Sequence, residues 1–232
     1  MSRRLFLIRH GQTTYNVTGR MQGHLDTELS PLGYEQARVA ASLLADKGIT
    51  RIISSDLVRA HETARVISEQ LHVPFTADAR LRETHLGQWQ GRTSAEVDAE
   101  SPSVRAIWRH DPTWPPPGGE SRVDVARRAR PVIDELMRTY PEWDNGAVLV
   151  VAHGGTITSL TCSLLGLAHQ QYSLLSGLKN THWAQLTARP KLNLKNPGAS
   201  VDFTPETVPS ASWYFDGWNM GARVSGDAGA DV

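Results

Sequence analysis

Two histidines stand in the same local setting. His10 follows the apolar run Leu5-Phe6-Leu7-Ile8 and Arg9, while His153 follows Ala147-Val148-Leu149-Val150-Val151-Ala152. Each is succeeded by glycine, Gly11 in one case and Gly154-Gly155 in the other, so backbone and ligand can come close. Short, wholly apolar runs suit strands buried on both faces. Open α/β sheets bind ligands beyond the carboxyl ends of their strands, where both histidines would lie. A sheet that sets these strands side by side would bring the imidazoles together. A neutral imidazole can attack phosphorus and carry the phosphoryl group as a covalent intermediate. One such histidine alone is more often a hydrogen-bonded structural residue, and the repeated placement weakens that reading.

Two further segments bear charge. Ser54-Ser55-Asp56-Leu57-Val58-Arg59 puts Arg59 on the first turn of a helix that follows a strand. A guanidinium beside the free N–H groups of a helix start makes an anion site, although a lone helical Arg is more often solvated. Arg80-Leu81-Arg82-Glu83-Thr84-His85 places a carboxylate among arginines. Glu83 is either their ion-pair partner or a proton donor held near a phosphate.

Strand and helix patterns alternate, which predicts an α/β fold, a three-layer α/β/α sandwich on a mostly parallel central sheet. Strands are expected at Leu5–Ile8, Arg51–Ser54 and Ala147–Ala152, with an edge strand at Val73–Thr76 interrupted by Pro74. Helices are expected from Ser30-Pro31 to Gly48, from about Leu57 to Leu71, from about Ser121 to Tyr140, and after His153. Residues 89–119 read as looser, with short helical pieces. The stretch 189–212 reads as a surface excursion, and residues 221–232 as a frayed tail of a single domain spanning 1–232.

Composition limits the function classes. The 232 residues hold 24 Lys plus Arg against 24 Asp plus Glu, so no basic excess points to nucleic acid or a membrane surface. Four of the 24 cations are Lys; the rest are Arg, the side chain suited to two-pronged grips on phosphate and carboxylate. The neutral total can therefore conceal a local cationic site. The lone Cys162 excludes an internal disulfide framework and any multi-cysteine zinc site, and reads as a small buried apolar residue. No apolar run reaches the length of a signal core or a membrane span, so a cytoplasmic setting is expected. The nine histidines show no metal-ligand spacing, and His61-Glu62 lacks the second histidine of a zincin motif. No metal and no cofactor are expected.

Five segments in a fixed order carry a likeness. Arg9-His10-Gly11, Ser55-Asp56-Leu57 with Arg59 and Thr63-Ala64, Arg82-Glu83 with Gly87, Gly118-Gly119-Glu120-Ser121, and His153-Gly154-Gly155 resemble the histidine phosphatase (phosphoglycerate mutase-like) superfamily. A narrower likeness, to bacterial phosphatases of glucosylated phosphoglycerates, rests on Tyr15-Asn16, Arg20-Met21-Gln22-Gly23, Leu25–Ser30, Leu81–Gly91, Pro141-Glu142-Trp143 and Trp213, Asp216, Trp218 and Asn219. The 189–212 stretch is longer than that group's pattern, and Phe215 replaces a smaller aliphatic.

The resemblance implies a metal-independent phosphomonoester hydrolase working through phospho-His10. Arg9 and Arg59 disfavour protonation of His10 and would hold the phosphoryl oxygens. By resemblance, His153 completes the pocket and Glu83 protonates the leaving alkoxide, keeping its proton through partial burial and the substrate's negative charge. Asn16, Gln22, Gly154 and Phe215 are carried over as substrate-binding. Thr13 could donate to phosphate or equally make a local hydroxyl-to-backbone bond, and Glu120 is expected to anchor its loop. Trp89, Trp108, Trp114 and Trp213–Trp218 read as core anchors or as a sugar platform. The implied partner is a small phosphorylated substrate, a phosphorylated glycerate bearing a sugar, and the implied assembly a homodimer. A phosphoglycerate mutase, a broad sugar or cofactor-precursor phosphatase, and a non-catalytic phospholigand module are the alternatives. The chain is short between the Glu83 and His153 segments, where mutases carry an insertion.

Overall fold

The computed structural model describes residues 1–191 and 202–224. Six strands form one sheet: β1 (Arg3–Arg9), β2 (Ile49–Ser54), β3 (Phe75–Ala77), β4 (Ala147–Ala152), β5 (Trp183–Arg189) and β6 (Ser212–Met220), in the order β3-β2-β4-β1-β5-β6. The first four in that order run parallel, β5 adds antiparallel to β1, and β6 adds antiparallel to β5. The edge strand β3 starts at Phe75, because Pro74 has no N–H to give a ladder. Strands β5 and β6 were not expected. Their aromatic residues had no clear partner in the sequence until the sheet supplied one.

Period-two alternation along β1 divides the core. Leu5 and Leu7 join Val148 and Val150 of β4 on one face, under α6 (Arg122–Thr139) and α7 (Gly154–Leu165). Phe6 and Ile8 join Leu149 and Val151 on the other, under α2 (Pro31–Leu44) and α3 (Val58–Leu71). Both faces of the sheet are thus covered, and the three layers are those expected. The Ser30 hydroxyl caps α2 by accepting from the Gly33 N–H at 3.1 Å, with Pro31 in the first turn. A one-turn helix α1 (Thr14–Val17) follows β1, and two short helices, α4 (Ser94–Glu100) and α5 (Val104–His110), fill the looser region.

The first long helix after β1, α2, packs on one face of the sheet and α7, after β4, on the opposite face. Their adjacent strands therefore open a crevice at the carboxyl end, the position where such sheets take ligands. Of the stretch 189–212, residues 192–201 lie outside the described residues. Within 202–211, Phe203, Val208 and Ala211 pack against the α6 face, so this part is anchored rather than a loose excursion. Of the expected frayed tail, residues 225–232 also lie outside the described residues.

Candidate active site

The parallel register pairs Arg9 with Ala152, which places His10 and His153 one step beyond the ladder on neighbouring strands. Their ring centroids are 5.2 Å apart, with 57° between the planes. Both rings are buried. The His10 Nδ1 lies 2.7 Å from the Gly11 carbonyl oxygen. A carbonyl can only accept, so Nδ1 carries the proton, and in the neutral ring Nε2 keeps a free lone pair. Burial, then the Arg59 and Arg9 guanidiniums, hold His10 well below the ordinary imidazole pKa. The site therefore presents a neutral imidazole. His153 is held low by burial, then by Arg59 and His10.

The cationic wall is built from α3. Its start has no side-chain cap of its own; Asp26 reaches across and accepts from the Val58 N–H at 2.7 Å. Arg59, on the first turn, is 0% exposed. Its terminal nitrogens donate to the carbonyls of Leu25 (2.9 Å) and Gly23 (2.8 Å), while Nε is buried without a partner. Burial pulls its pKa down to about 10, so the guanidinium stays charged at neutral pH. Burying an uncompensated charge costs several kcal/mol. Arg9 donates through Nη1 to the Leu178 carbonyl at 2.6 Å.

Glu83 reaches the same crevice from the segment after β3. Its carboxylate accepts from the Gly155 N–H at 3.2 Å and the Thr156 N–H at 3.1 Å, at the start of α7, and from the Thr84 N–H at 2.8 Å. Anions are favoured at a helix start. A Cβ on Gly155 would fall 2.6 Å from both Glu83 Oε1 and Thr84 Oγ1, so the missing side chain is what lets the carboxylate dock. The ion-pair alternative is not realised: Arg80 bonds Asp78 and Glu135, and Arg82 forms a two-pronged pair with Asp56. Glu83 keeps its oxygens for the helix start and the crevice.

The sequence model of the histidine phosphatase superfamily (branch 1) matches residues 5–193. The chain belongs to that superfamily. It is 46% identical over 231 residues, 97% of this chain and 98% of the relative, to glucosyl-3-phosphoglycerate phosphatase of Mycobacterium tuberculosis. A solved mycobacterial glucosyl-3-phosphoglycerate phosphatase in complex with inorganic phosphate superposes with a TM-score of 0.83 at 44% identity, covering 96% of this chain and 100% of that one. The alpha-ribazole phosphatase of Shigella flexneri is more distant, with a TM-score of 0.66 and 28% identity over 87% of this chain and 96% of that one.

Within this histidine phosphatase fold, the remaining expected site residues divide. Asn16 and Gln22 are buried near His10, and both amide oxygens are occupied. Asn16 Oδ1 accepts from the Thr13 N–H at 3.1 Å, and Gln22 Oε1 from the hydroxyls of Thr13 (3.0 Å) and Thr27. Those bonds fix the amide orientation and leave the NH₂ groups as the available donors. Thr13 caps α1, the local role considered for it, its hydroxyl accepting from the Asn16 N–H at 3.1 Å. Gly154 is the first residue of α7, and its N–H is not among those Glu83 takes.

Phe215 is not brought to the site. It lies midway along the outermost strand β6, opposite Leu186, with its ring stacked towards Trp218. Trp89, Trp108 and Trp114 pack on one another in a small cluster with Met21 and Leu86, and Trp213 packs towards Trp143. These contacts give the aromatics their anchoring role in the fold. Among the described residues no His, Cys, Asp and Glu group has the arrangement of a metal site. No helix is long and apolar enough to cross a membrane, among the described residues.

Two site residues were not assigned from sequence. Ser55 Oγ lies 2.9 Å from His153 Nε2 and accepts from the Leu57 N–H at 3.3 Å. If the hydroxyl donates to Nε2, the ring proton sits on Nδ1, a buried atom with no partner in the protein. His153 then offers an N–H to an anion. Asn180 donates to the His10 carbonyl at 2.9 Å and to Asn16 Oδ1 at 3.3 Å. The Ser-Ser-Asp-Leu run carried the first signal, and the turn-forming Asn180-Thr181 pair before β5 carried the second.

Proposed function

We propose that this chain hydrolyses phosphomonoesters through a phosphohistidine at His10, and that its substrate is glucosyl-3-phosphoglycerate or a related phosphorylated glycerate. The observation that carries the reaction is the His10 ring: Nδ1 tied to a carbonyl, Nε2 unprotonated, and the whole buried beside two guanidiniums. The identity to the mycobacterial enzyme across nearly the full length supports the substrate.

In the first step His10 Nε2 attacks phosphorus, and the bond from phosphorus to the ester oxygen breaks. Arg9, Arg59 and the His153 N–H hold the phosphoryl oxygens as charge spreads over them. Glu83, in its acid form, gives its proton to the departing alkoxide. In the second step the resulting carboxylate takes a proton from water, the hydroxide oxygen bonds phosphorus, and the P–N bond breaks. His10 leaves as neutral imidazole and inorganic phosphate is released. The Asn16 and Gln22 NH₂ groups would contact the phosphate and the glycerate. The positive charge comes from side chains, so activity should persist in EDTA.

We also propose a cytoplasmic homodimer. Support for assembly is the outer edge of β6, which pairs with no strand among the described residues and where Tyr214, Phe215 and Met220 are exposed.

The test is phosphate release across phosphorylated glycerates, sugar phosphates and phosphorylated cofactor precursors. Preference for the glucosylated glycerate supports the assignment. Preference outside the glycerates overturns the substrate and leaves the reaction standing. Interconversion of 2- and 3-phosphoglycerate without net phosphate release would sink the hydrolase reading.

A further inference from the structure

Glu83 sits on a segment that is neither helix nor strand, yet proton transfer demands placement within a fraction of an ångström. Its carboxylate is fixed by α7. Its main chain is fixed from the opposite side by one residue of α6. Arg128 donates through Nη2 to the Glu83 carbonyl at 2.7 Å and through Nη1 to the Arg80 carbonyl at 2.8 Å. The same guanidinium is held by Glu120, Nε to Oε1 and Nη2 to Oε2, each at 2.9 Å. Glu120 in turn accepts from the His85 N–H at 2.9 Å, and its own N–H donates to the His85 carbonyl at 2.8 Å. The segment 80–85 is thus gripped at three main-chain points by one Arg–Glu pair. His24 adds a fifth bond, its Nε2 donating to the Glu83 carbonyl at 2.7 Å.

We propose that Arg128, with Glu120, is the positioning residue of the acid: it sets the Glu83 backbone so that the carboxyl meets the leaving-group oxygen. The bonds of Arg128 go to the carbonyls of Arg80 and Glu83 and to the Glu120 carboxylate. A planar fork with its donors in fixed directions can hold two carbonyls and a carboxylate at once, which an ammonium cannot. This inference rests on Glu83 acting as the acid, as proposed above.

An acid is needed only where the leaving group is a poor one. An alkyl ester such as 3-phosphoglycerate must have its alkoxide protonated, whereas the nitrophenolate of 4-nitrophenyl phosphate departs unaided. The ratio kcat/KM reports transfer to His10 and excludes the later attack of water, in which Glu83 acts as base. The experiment measures kcat/KM on both esters for Arg128→Gln, Arg128→Lys and Glu83→Gln, with thermal unfolding to confirm folding.

General acids contribute about 10²–10⁴-fold, so Arg128→Gln should lose at least about 10-fold on 3-phosphoglycerate and about 3-fold or less on the nitrophenyl ester. Arg128→Lys keeps the charge opposite Glu120 but lacks the fork, and should show the same selectivity in weaker form. It carries the test if Arg128→Gln does not fold. Equal losses on both esters in folded Arg128 variants, with Glu83→Gln selective for the alkyl ester, would overturn the positioning role while sparing the acid. Equal losses in Glu83→Gln itself would overturn the acid assignment, and the clamp would have no acid to place.

Discussion

His10 and His153 face each other with ring centroids 5.2 Å apart because Arg9 and Ala152 are register partners on adjacent parallel strands. Both rings are buried, and both lie near the same two guanidiniums. The pair is therefore built to stay uncharged until an anion arrives. A phosphate would bring the charge that the pocket lacks, and would satisfy the orphaned Arg59 Nε and His153 Nδ1.

The first prediction concerns protonation. With both pKa values pushed well below 6.5, the rings should remain neutral at pH 6, the proton of His10 on Nδ1. Ring ¹⁵N chemical shifts in the unliganded protein read charge and tautomer directly. An imidazolium signal for His10 at pH 6 would contradict the assignment.

Linkage extends this to stability. Below pH 6.5 the unfolded chain protonates these histidines while the folded protein does not, so stability falls as pH drops towards the depressed folded values. The slope is about 1.4 kcal/mol per pH unit for each histidine. Urea unfolding of wild type and His153→Gln at pH 7.5, 6.5 and 5.5 isolates one of them. The variant should lose less stability on acidification, and parallel curves would refute the linkage.

Gly155→Ala should separate activity from stability. The new methyl carbon would crowd Glu83 Oε1 at 2.6 Å and displace the carboxylate from α7. Misplacement of a catalytic group by about 1 Å costs about 100-fold, so kcat/KM on alkyl phosphates should fall by about that factor. Alanine is the better helix former by about 1 kcal/mol, so unfolding should shift little. Undiminished kcat/KM would mean that Glu83 need not dock there.

Ser55→Ala leaves His153 Nε2 buried without its partner, at a cost of about 1–3 kcal/mol. It should also release the tautomer, moving ring proton density from Nδ1 to Nε2 in the ¹⁵N spectrum, with weaker phosphate binding. Loss of stability with an unchanged His153 spectrum would confine Ser55 to packing.

The reactive pair and the α3 arginine were legible in the sequence because each ends a strand or starts a helix. Those are the points where local pattern alone fixes where a side chain goes. The hidden parts depend on contacts between distant segments. Nothing near Phe215 tells that its strand would be outermost, opposite Leu186 rather than at the crevice. Thr13 could serve phosphate or backbone by type, and only the position of Asn16 and Gln22 settles it as a cap. Arg128 shows on sequence as one of several helical arginines. Its bond to the Glu83 carbonyl spans 45 residues, beyond any periodicity.

The most direct measurement is the covalent intermediate. Glu83→Gln, lacking the base for the second step, is mixed with 4-nitrophenyl phosphate, quenched in alkali where the P–N bond persists, and mapped by mass spectrometry. The account predicts one phosphoryl group on the peptide containing His10, absent from the same experiment on His10→Asn. Turnover without a phosphorylated His10, or the phosphoryl group on another residue, would contradict it.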